Sequence, residues 1–331
     1  MVGQNANALS TLSASKVVVT GAGGAIGSRL VRRMADLGAA VTAVDLHKPN
    51  PEQRLDGVFY VAADIMDVDT LRPLLDGADI VYHLAYLMGE EANRDPIAAA
   101  RINTLGGTQI LQSCLDARVG RVLLASSVSV FGSRRDYEPQ NMLLDDHAAL
   151  LGAKGIPVYA AGKIYLEKVA AHYRQRYGML VGGLRPGAVI GCSRSTGRAK
   201  TVANIVAAAA SGEMVCLQNG NAAFQAIHVD DVVSAFLALA ITPPENLADT
   251  SFYNLAGDYA TIRSYCDEVV RVLPNAQFDI SDGESDELFG CSPLVLDDGI
   301  HRLIGFERNY RSLEQAIRAE SDDVMRSQVC A

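Results

Sequence analysis

The sequence predicts an α/β protein: a doubly wound parallel sheet followed by a smaller C-terminal lobe. Three observations carry this. Short β-branched runs alternate with amphipathic helical stretches through the first half. A glycine-rich turn follows the first run directly, and the alternation becomes irregular beyond about Val181. Parallel strands need a long crossover, which a helix supplies, and ligands of such sheets gather at the carboxyl ends of the strands. Lys16–Thr20, Ala40–Val44, Val58–Val61, Ile80–His83 and Arg121–Ala125 are predicted strands because they are short, apolar and β-branched. Ile26–Leu37, closed by Gly38, and Ala98–Ala117 have helical spacing. Later strands are expected at Val181–Ile190, around Ile227 and at Phe252–Leu255, with helices at Val202–Ala210, Asp230–Ala240 and Ile262–Val272. Residues 1–15 read as a flexible polar tail, Asp279–Asp298 as acidic loops over the lobe, and the terminal ESDDVMRSQVCA as a solvated tail. The division expected is a sheet domain over 16–190 and a lobe over 191–331, with 227–255 returning to the sheet domain.

Composition narrows the function classes. The 331 residues carry a net charge of −9, which argues against a nucleic-acid groove or an anionic membrane surface, since both need excess Lys and Arg. Six scattered cysteines with no C-x-x-C pair make a metal site unexpected and read as isolated reduced thiols. No run reaches the ~18 apolar residues of a membrane span. The N-terminus lacks the basic start and apolar stretch of a signal peptide. A cytoplasmic location follows as the expectation.

The turn after the first strand reads Thr20-Gly21-Ala22-Gly23-Gly24-Ala25-Ile26-Gly27, placing glycines at 21, 24 and 27. Between a strand and a helix, missing side chains let backbone approach a pyrophosphate, while the helix start offers free N–H groups. A plain tight turn is the competing reading. Asp45 ends the second strand, where a carboxylate accepts bonds from the adenosine ribose hydroxyls and repels a 2′-phosphate. No Arg follows it, although His47 and Lys48 lie nearby, so NAD is expected over NADP. Asp64-Ile65 could meet the adenine, or Asp64 could simply cap a helix.

Tyr159 and Lys163 stand four apart on one helix face. An ammonium about 4 Å from a phenol, at an effective dielectric near 20, contributes roughly 4 kcal/mol, or about three pKa units. That brings a phenol into the range of acid–base catalysis, although Y-x-x-x-K alone is common as an exposed helical pair. The strand Arg121–Ala125 delivers Ser126, Ser127 and Ser129 to the sheet's carboxyl edge, where a hydroxyl can hold a carbonyl oxygen or cap the next helix.

Together these residues resemble the extended short-chain dehydrogenase/reductase family, of the NAD-dependent epimerase/dehydratase type. The likeness runs from about Lys16 to Leu255 and includes TGAGGAIG, Asp45, Asp64-Ile65, HLAY (His83–Tyr86), NTLGGT (Asn103–Thr108), SSVSVFG, YAAGK, LRPGAVIG (Leu184–Gly191) and IHVDDV (Ile227–Val232). The resemblance implies a Rossmann-like fold with a C-terminal substrate-binding lobe. It makes Tyr159 the acid–base, Lys163 the group that lowers its pKa and holds the nicotinamide ribose, and Ser127 the carbonyl-orienting hydroxyl. Gly21, Gly24, Ala25, Ile26, Gly27, Asp45, Asp64, Ile65, Leu84, Ala85, Asn103 and Pro186 would line NAD. Tyr86, Met88 and Ser129 would join Ser127 at the substrate, with the Cys192–Phe224 segment nearby. His83 and His228 take structural strand-end positions, Asp145-Asp146-His147 reads as a solvated loop, and a homodimer through the helices after Asn103 and Tyr159 is suggested.

The sequence departs from parts of this pattern. Dehydratases of this type place an acidic pair beside the catalytic hydroxyl, whereas Val128 and Ser129 follow Ser127. Nucleotide-sugar members carry Asn where Ala188 stands, and a basic residue before IHV where Phe224-Gln225-Ala226 stands. A diphosphate needs charge-assisted donors. The expectation is therefore a dehydrogenase or ketoreductase on a small non-nucleotide alcohol or ketone. The alternative is an epimerase that retains its NAD, and a non-catalytic cofactor sensor is a third class.

Overall fold

The computed structural model describes residues 9–138, 143–148, 156–191, 200–247, 252–283, 295–296, 299–301 and 306–329. Five strands, β1 (Lys16–Thr20), β2 (Ala40–Asp45), β3 (Phe59–Ala62), β4 (Ile80–His83) and β5 (Arg121–Ala125), join two later ones, β6 (Val181–Pro186) and β10 (Phe252–Leu255). They form a seven-stranded sheet ordered β10-β6-β5-β4-β1-β2-β3, and each neighbouring pair is parallel. The fold is thus the Rossmann-like doubly wound sheet that the alternation predicts.

Side-chain alternation along β1 divides the core. Val17 and Val19 pack toward α1 (Ala25–Asp36) and α5 (Val229–Ile241), against Leu30, Met34 and Phe236. Val18 faces the opposite layer, where α2 (Val68–Leu75), α3 (Gly107–Asp116) and α4 (Val158–Tyr177) contribute Leu71, Ile110 and Leu166. Both faces are covered, which explains why these strands read as continuous apolar runs.

A smaller layer follows. β7 (Ala188–Ile190) pairs in parallel with β9 (Ala223–His228), which pairs antiparallel with β11 (Asp258–Thr261). β8 (Met214–Leu217) pairs in parallel with β12 (Gln277–Ile280). These strands pack with α6 (Ile262–Val272) and α7 (Leu313–Val329) around Phe224, Tyr265 and Ile317.

Several boundaries differ from expectation. Val181–Ile190 is not one strand: it breaks at Gly187 into β6 and β7, which belong to different sheets. A Cβ at Gly187 would lie 2.5 Å from the carbonyl oxygens of both Gln225 and Ala256, so only glycine lets the chain pass between the layers. The helix expected over Ala98–Ala117 begins earlier, with the α-helical turn Pro96–Ala99, and passes through a π-helical stretch, Ala100–Gly106, before α3. The helix expected over Val202–Ala210 is two pieces, Lys200–Ala203 and Ile205–Ala210. Asp279 lies in β12 rather than a loop, while 284–294 and 297–298 lie outside the described residues.

Neither tail is wholly solvated. Ser10–Leu12 forms a 3-10 turn that buries Leu12, although residues 1–8 lie outside the description. The C-terminal segment forms α7, whose Glu320 and Ser321 are buried. Asp146 is buried as well. No described helix is long and apolar enough to cross a membrane.

Candidate active site

A cleft of about 820 Å³ opens at the carboxyl ends of β1, β2, β4, β5 and β6, with Phe224 and Gln225 of β9 closing its far side. It straddles the point between β1 and β4 where the strand order reverses, the place where doubly wound sheets bind ligands.

One end is built for a dinucleotide. Gly21 has φ +72, and a Cβ there would lie 2.6 Å from the Ala85 nitrogen; at Gly27 it would lie 2.1 Å from the Gly21 oxygen. The turn therefore closes only without side chains. Gly24 caps α1 with no side-chain partner, leaving the helix N–H groups of the first turn available to an anion. Asp45 ends β2 against this turn. Its Oδ2 accepts the Gly23 N–H at 2.9 Å and its Oδ1 accepts the Leu46 N–H at 2.8 Å. The carboxylate is thereby fixed at the cleft wall, where the ribose hydroxyls would meet it. Asp64 accepts the Met66 N–H at 2.9 Å, shaping the turn beside Ile65, while Asp67 caps α2 through Thr70. This cradle fits NAD.

The other end holds the candidate reacting groups. Ser127 caps a 3-10 turn, Val128–Phe131, and its Oγ accepts from the Ser129 N–H at 3.2 Å and the Ser129 hydroxyl at 2.9 Å. With its acceptor side engaged, the Ser127 hydroxyl has its proton left to donate into the cleft. Tyr159 and Lys163 face the same space from α4. The Lys163 ammonium is buried and donates to the Ala125 carbonyl at 2.5 Å. It lies 5.7 Å from the centre of the Tyr159 ring, and nearer, at 3.4 Å, to that of Tyr86. Burial pushes its pKa down to about 7, partly countered by Glu167.

Gly21, Gly24, Ala25, Ile26, Gly27, Asp45, Asp64, Ile65, Leu84, Ala85, Tyr86, Met88, Ser127, Ser129, Tyr159, Lys163 and Pro186 all line this cleft. Asn103 does not. Its Oδ1 accepts the Leu87 N–H at 2.7 Å and its Nδ2 donates to the Leu87 oxygen at 2.9 Å. Asn103 thus clamps the loop that carries Tyr86 and Met88, and the π-helical turn is what aims it there. His83 accepts or donates to Thr20 at 2.7 Å, and burial pushes it down to about 3, so it is neutral and structural. His228 caps α5 through the Asp230 N–H.

Sequence reasoning missed a buried ion pair beneath the site. Arg185 of β6 donates through Nε and Nη2 to the two oxygens of Glu167, at 2.9 and 2.8 Å. Ser126 donates to the same carboxylate at 2.5 Å, and Arg185 Nη1 donates to the Asp146 carbonyl at 3.0 Å. The one available signal was Glu167 standing one helical turn beyond Lys163. Asp145-Asp146-His147 is solvated only in part: Asp145 and His147 are exposed, whereas the buried Asp146 carboxylate, pushed up to about 6 by burial, accepts from the Asn254 N–H. The Gln225 amide is also engaged, with the backbone of Val295 in both directions. Residues 192–199, from the segment expected at the substrate, lie outside the described residues.

Residues 17–256 match the model of the NAD dependent epimerase/dehydratase family. Short-chain dehydrogenase/reductase family 42E member 1 of Xenopus laevis is 28% identical over 253 residues, or 73% of this chain; the match spans 61% of that relative's length. UDP-glucuronic acid decarboxylase 1 of Danio rerio is 26% identical over 317 residues, covering 90% of this chain and 74% of its own. Among solved structures, the apo form of a monomeric L-threonine 3-dehydrogenase of metagenomic origin superposes with a TM-score of 0.80 at 21% identity, covering 94% of this chain and 99% of that one. At that identity the likeness is one of fold.

Proposed function

Because this chain belongs to the NAD dependent epimerase/dehydratase family, we propose that it is a dehydrogenase or ketoreductase interconverting a secondary alcohol and a ketone on a small non-nucleotide substrate. Its cofactor is NAD, which when bound supplies the hydride acceptor or donor. The residues of the chain do the rest. Ser127 donates to the substrate oxygen, holding the reacting carbon toward the cofactor end of the cleft. Tyr159 takes the hydroxyl proton as the carbonyl forms and returns it in the reverse direction. Lys163 supplies the positive charge that favours the phenolate, and its ammonium would also meet the nicotinamide ribose.

One observation favours a substrate without a diphosphate. Among the described residues, the cleft is also lined by Tyr86, Leu87, Met88, Val128, Ala188 and Phe224, and by the carboxylate-bearing Glu91. The Gln225 amide is already spent on Val295. Beyond Lys163, which is committed to the Ala125 carbonyl, a diphosphate in that space would meet no cation among these described residues, and desolvating it without charge-assisted donors is costly.

The epimerase alternative shares every residue up to product release, so the test is release itself. Incubation with NAD and a panel of secondary alcohols and hydroxy acids is expected to yield NADH stoichiometric with ketone. Isomerisation of a UDP-sugar with no accumulated NADH would overturn the proposal. We also expect a homodimer through α3, with the π-helical stretch before it, and α4, where Leu105 of the π-helical stretch and Tyr165 and Tyr177 of α4 are exposed; light scattering showing a monomer at micromolar concentration would refute it.

A further inference from the structure

Tyr86 stands in a position the acid–base chemistry alone does not explain. Its ring centre lies 3.4 Å beneath the Lys163 Nζ. Its hydroxyl donates to the Tyr159 main-chain oxygen at 2.9 Å. The two tyrosine rings meet edge to face, 5.3 Å apart at 82°. The space is reserved on the other side too: a Cβ at Gly162 would lie 2.4 Å from the Tyr86 hydroxyl oxygen. The glycine inside YAAGK and the tyrosine of HLAY are therefore one device, since a side chain at 162 would expel the phenol that reaches α4.

We propose that Tyr86 is a positioning residue for the catalytic pair, its ring face carrying the Lys163 ammonium and its hydroxyl fixing the first turn of α4 at Tyr159. This rests on Tyr159 acting as the base. The need for such a device follows from what surrounds the ammonium. On α4 itself it has Tyr159 one turn before and Glu167 one turn after. Glu167 is committed to Arg185 of β6 and to Ser126. From β4 comes His83, neutral because burial holds it near 3. From β5 comes only a carbonyl, that of Ala125. Burial works against the charge, and beside the Ala125 carbonyl the ring face of Tyr86, 3.4 Å away, is the group on the ammonium that favours it.

The consequence is a coupled titration. Without the ring, the ammonium loses its proton at lower pH, and the phenolate of Tyr159 then loses the charge that supports it. The order of magnitude is about 1–2 pH units upward for the Tyr159 phenol. Burial, aided by neighbouring Tyr159, pushes the Tyr86 phenol itself well above its ordinary value, so it does not titrate in the same window.

The test needs no substrate. Phenolate formation is followed by ultraviolet difference absorbance against pH in the full chain saturated with NAD, for wild type, Tyr86→Phe, Tyr86→Leu and Gly162→Ala. Tyr159→Phe identifies the signal, and circular dichroism confirms that each variant is folded. Tyr86→Leu and Gly162→Ala are expected to raise the Tyr159 midpoint by about 1–2 units, while Tyr86→Phe, which keeps the ring and loses only the bond to the Tyr159 carbonyl, raises it by clearly less. An unmoved midpoint in Tyr86→Leu, or an equal shift in Tyr86→Phe, overturns the proposal while leaving Tyr159 as the base. If Tyr159→Phe removes no early-titrating phenolate, the acid–base assignment fails and this inference falls with it.

Discussion

Removing the Glu167 carboxylate should expose how much of the site rests on the ion pair beneath it. Arg185 and Glu167 are both nearly inaccessible, at 6% and 5% exposure, and the bidentate contacts at 2.9 and 2.8 Å satisfy both carboxylate oxygens. In Glu167→Ala the guanidinium keeps, among the described residues, the Asp146 carbonyl, the more distant charge of the Asp146 carboxylate and the face of the Phe131 ring, 5.0 Å away. Leaving one charge of a buried pair uncompensated costs about 3–5 kcal/mol. Unfolding entropies of about 2.1 cal/mol/K per residue give a chain of this size about 0.7 kcal/mol/K. The melting temperature should then fall by about 4–7 °C. The double variant Glu167→Met, Arg185→Met removes both charges and should recover most of that loss. Thermal and urea unfolding followed by circular dichroism measure all three. A loss below about 1 kcal/mol for Glu167→Ala, or a double variant as unstable as the sum of the two singles, would refute the reasoning.

Other outcomes follow from the same geometry. Gly27→Ala places a methyl carbon against the Gly21 carbonyl at 2.1 Å; overpacking strain of about 1–3 kcal/mol should weaken NADH binding roughly 5- to 150-fold, read by NADH fluorescence titration. Asp45→Ala removes a charged acceptor worth about 1.5–3 kcal/mol, so NADH binding should weaken roughly 10- to 150-fold while NADPH binding does not weaken; tighter NADPH than NADH binding by the wild type would contradict the role of Asp45. Glu320 offers a pH test. Burial pushes this carboxyl up to about 8 from an ordinary value of 4.5, although it accepts the Gly191 N–H at 3.1 Å. The folded state thus holds a proton that the unfolded state releases, and the stability this gives is present below pH 4.5 and lost as pH rises through 8. Glu320→Gln should match the wild type in urea melts near pH 5 and exceed it near pH 9; an equal gap at both would show that Glu320 does not titrate with folding.

Much of this was legible in the sequence, for physical reasons particular to each element. β1, β4 and β5 read at their observed bounds because both sheet faces are covered, so each is an uninterrupted apolar run. The glycine turn was legible because its steric demands are local. The spacing of Tyr159 and Lys163 placed them on one helix face, but not the ammonium over Tyr86, because a spacing says nothing of the loop packed against that face. Ser127 was set apart from Ser126 by the family resemblance alone; the physical difference is that the Ser126 hydroxyl is spent on Glu167, while that of Ser127 is held by Ser129 at the cleft. Asn103 reads as a cofactor residue from its motif, yet its side chain is consumed by Leu87, an outcome set by the π-helical turn. Asp146 looks solvated between Asp145 and His147, and only Arg185, arriving from a strand 39 residues later, explains its burial. α7 hid for the opposite reason: its sequence is polar, and the buried Glu320 and Ser321 are recognised only once the small layer exists to cover them.

In the proposed reaction Tyr159 moves the proton of an alcohol whose hydride leaves as NADH. Turnover of an alcohol found in the panel, measured by NADH appearance for wild type and Tyr159→Phe side by side, addresses it most directly. Loss of the acid–base group should slow NADH formation by about 100- to 10,000-fold while NADH binding persists. Equal rates in the two proteins would contradict it.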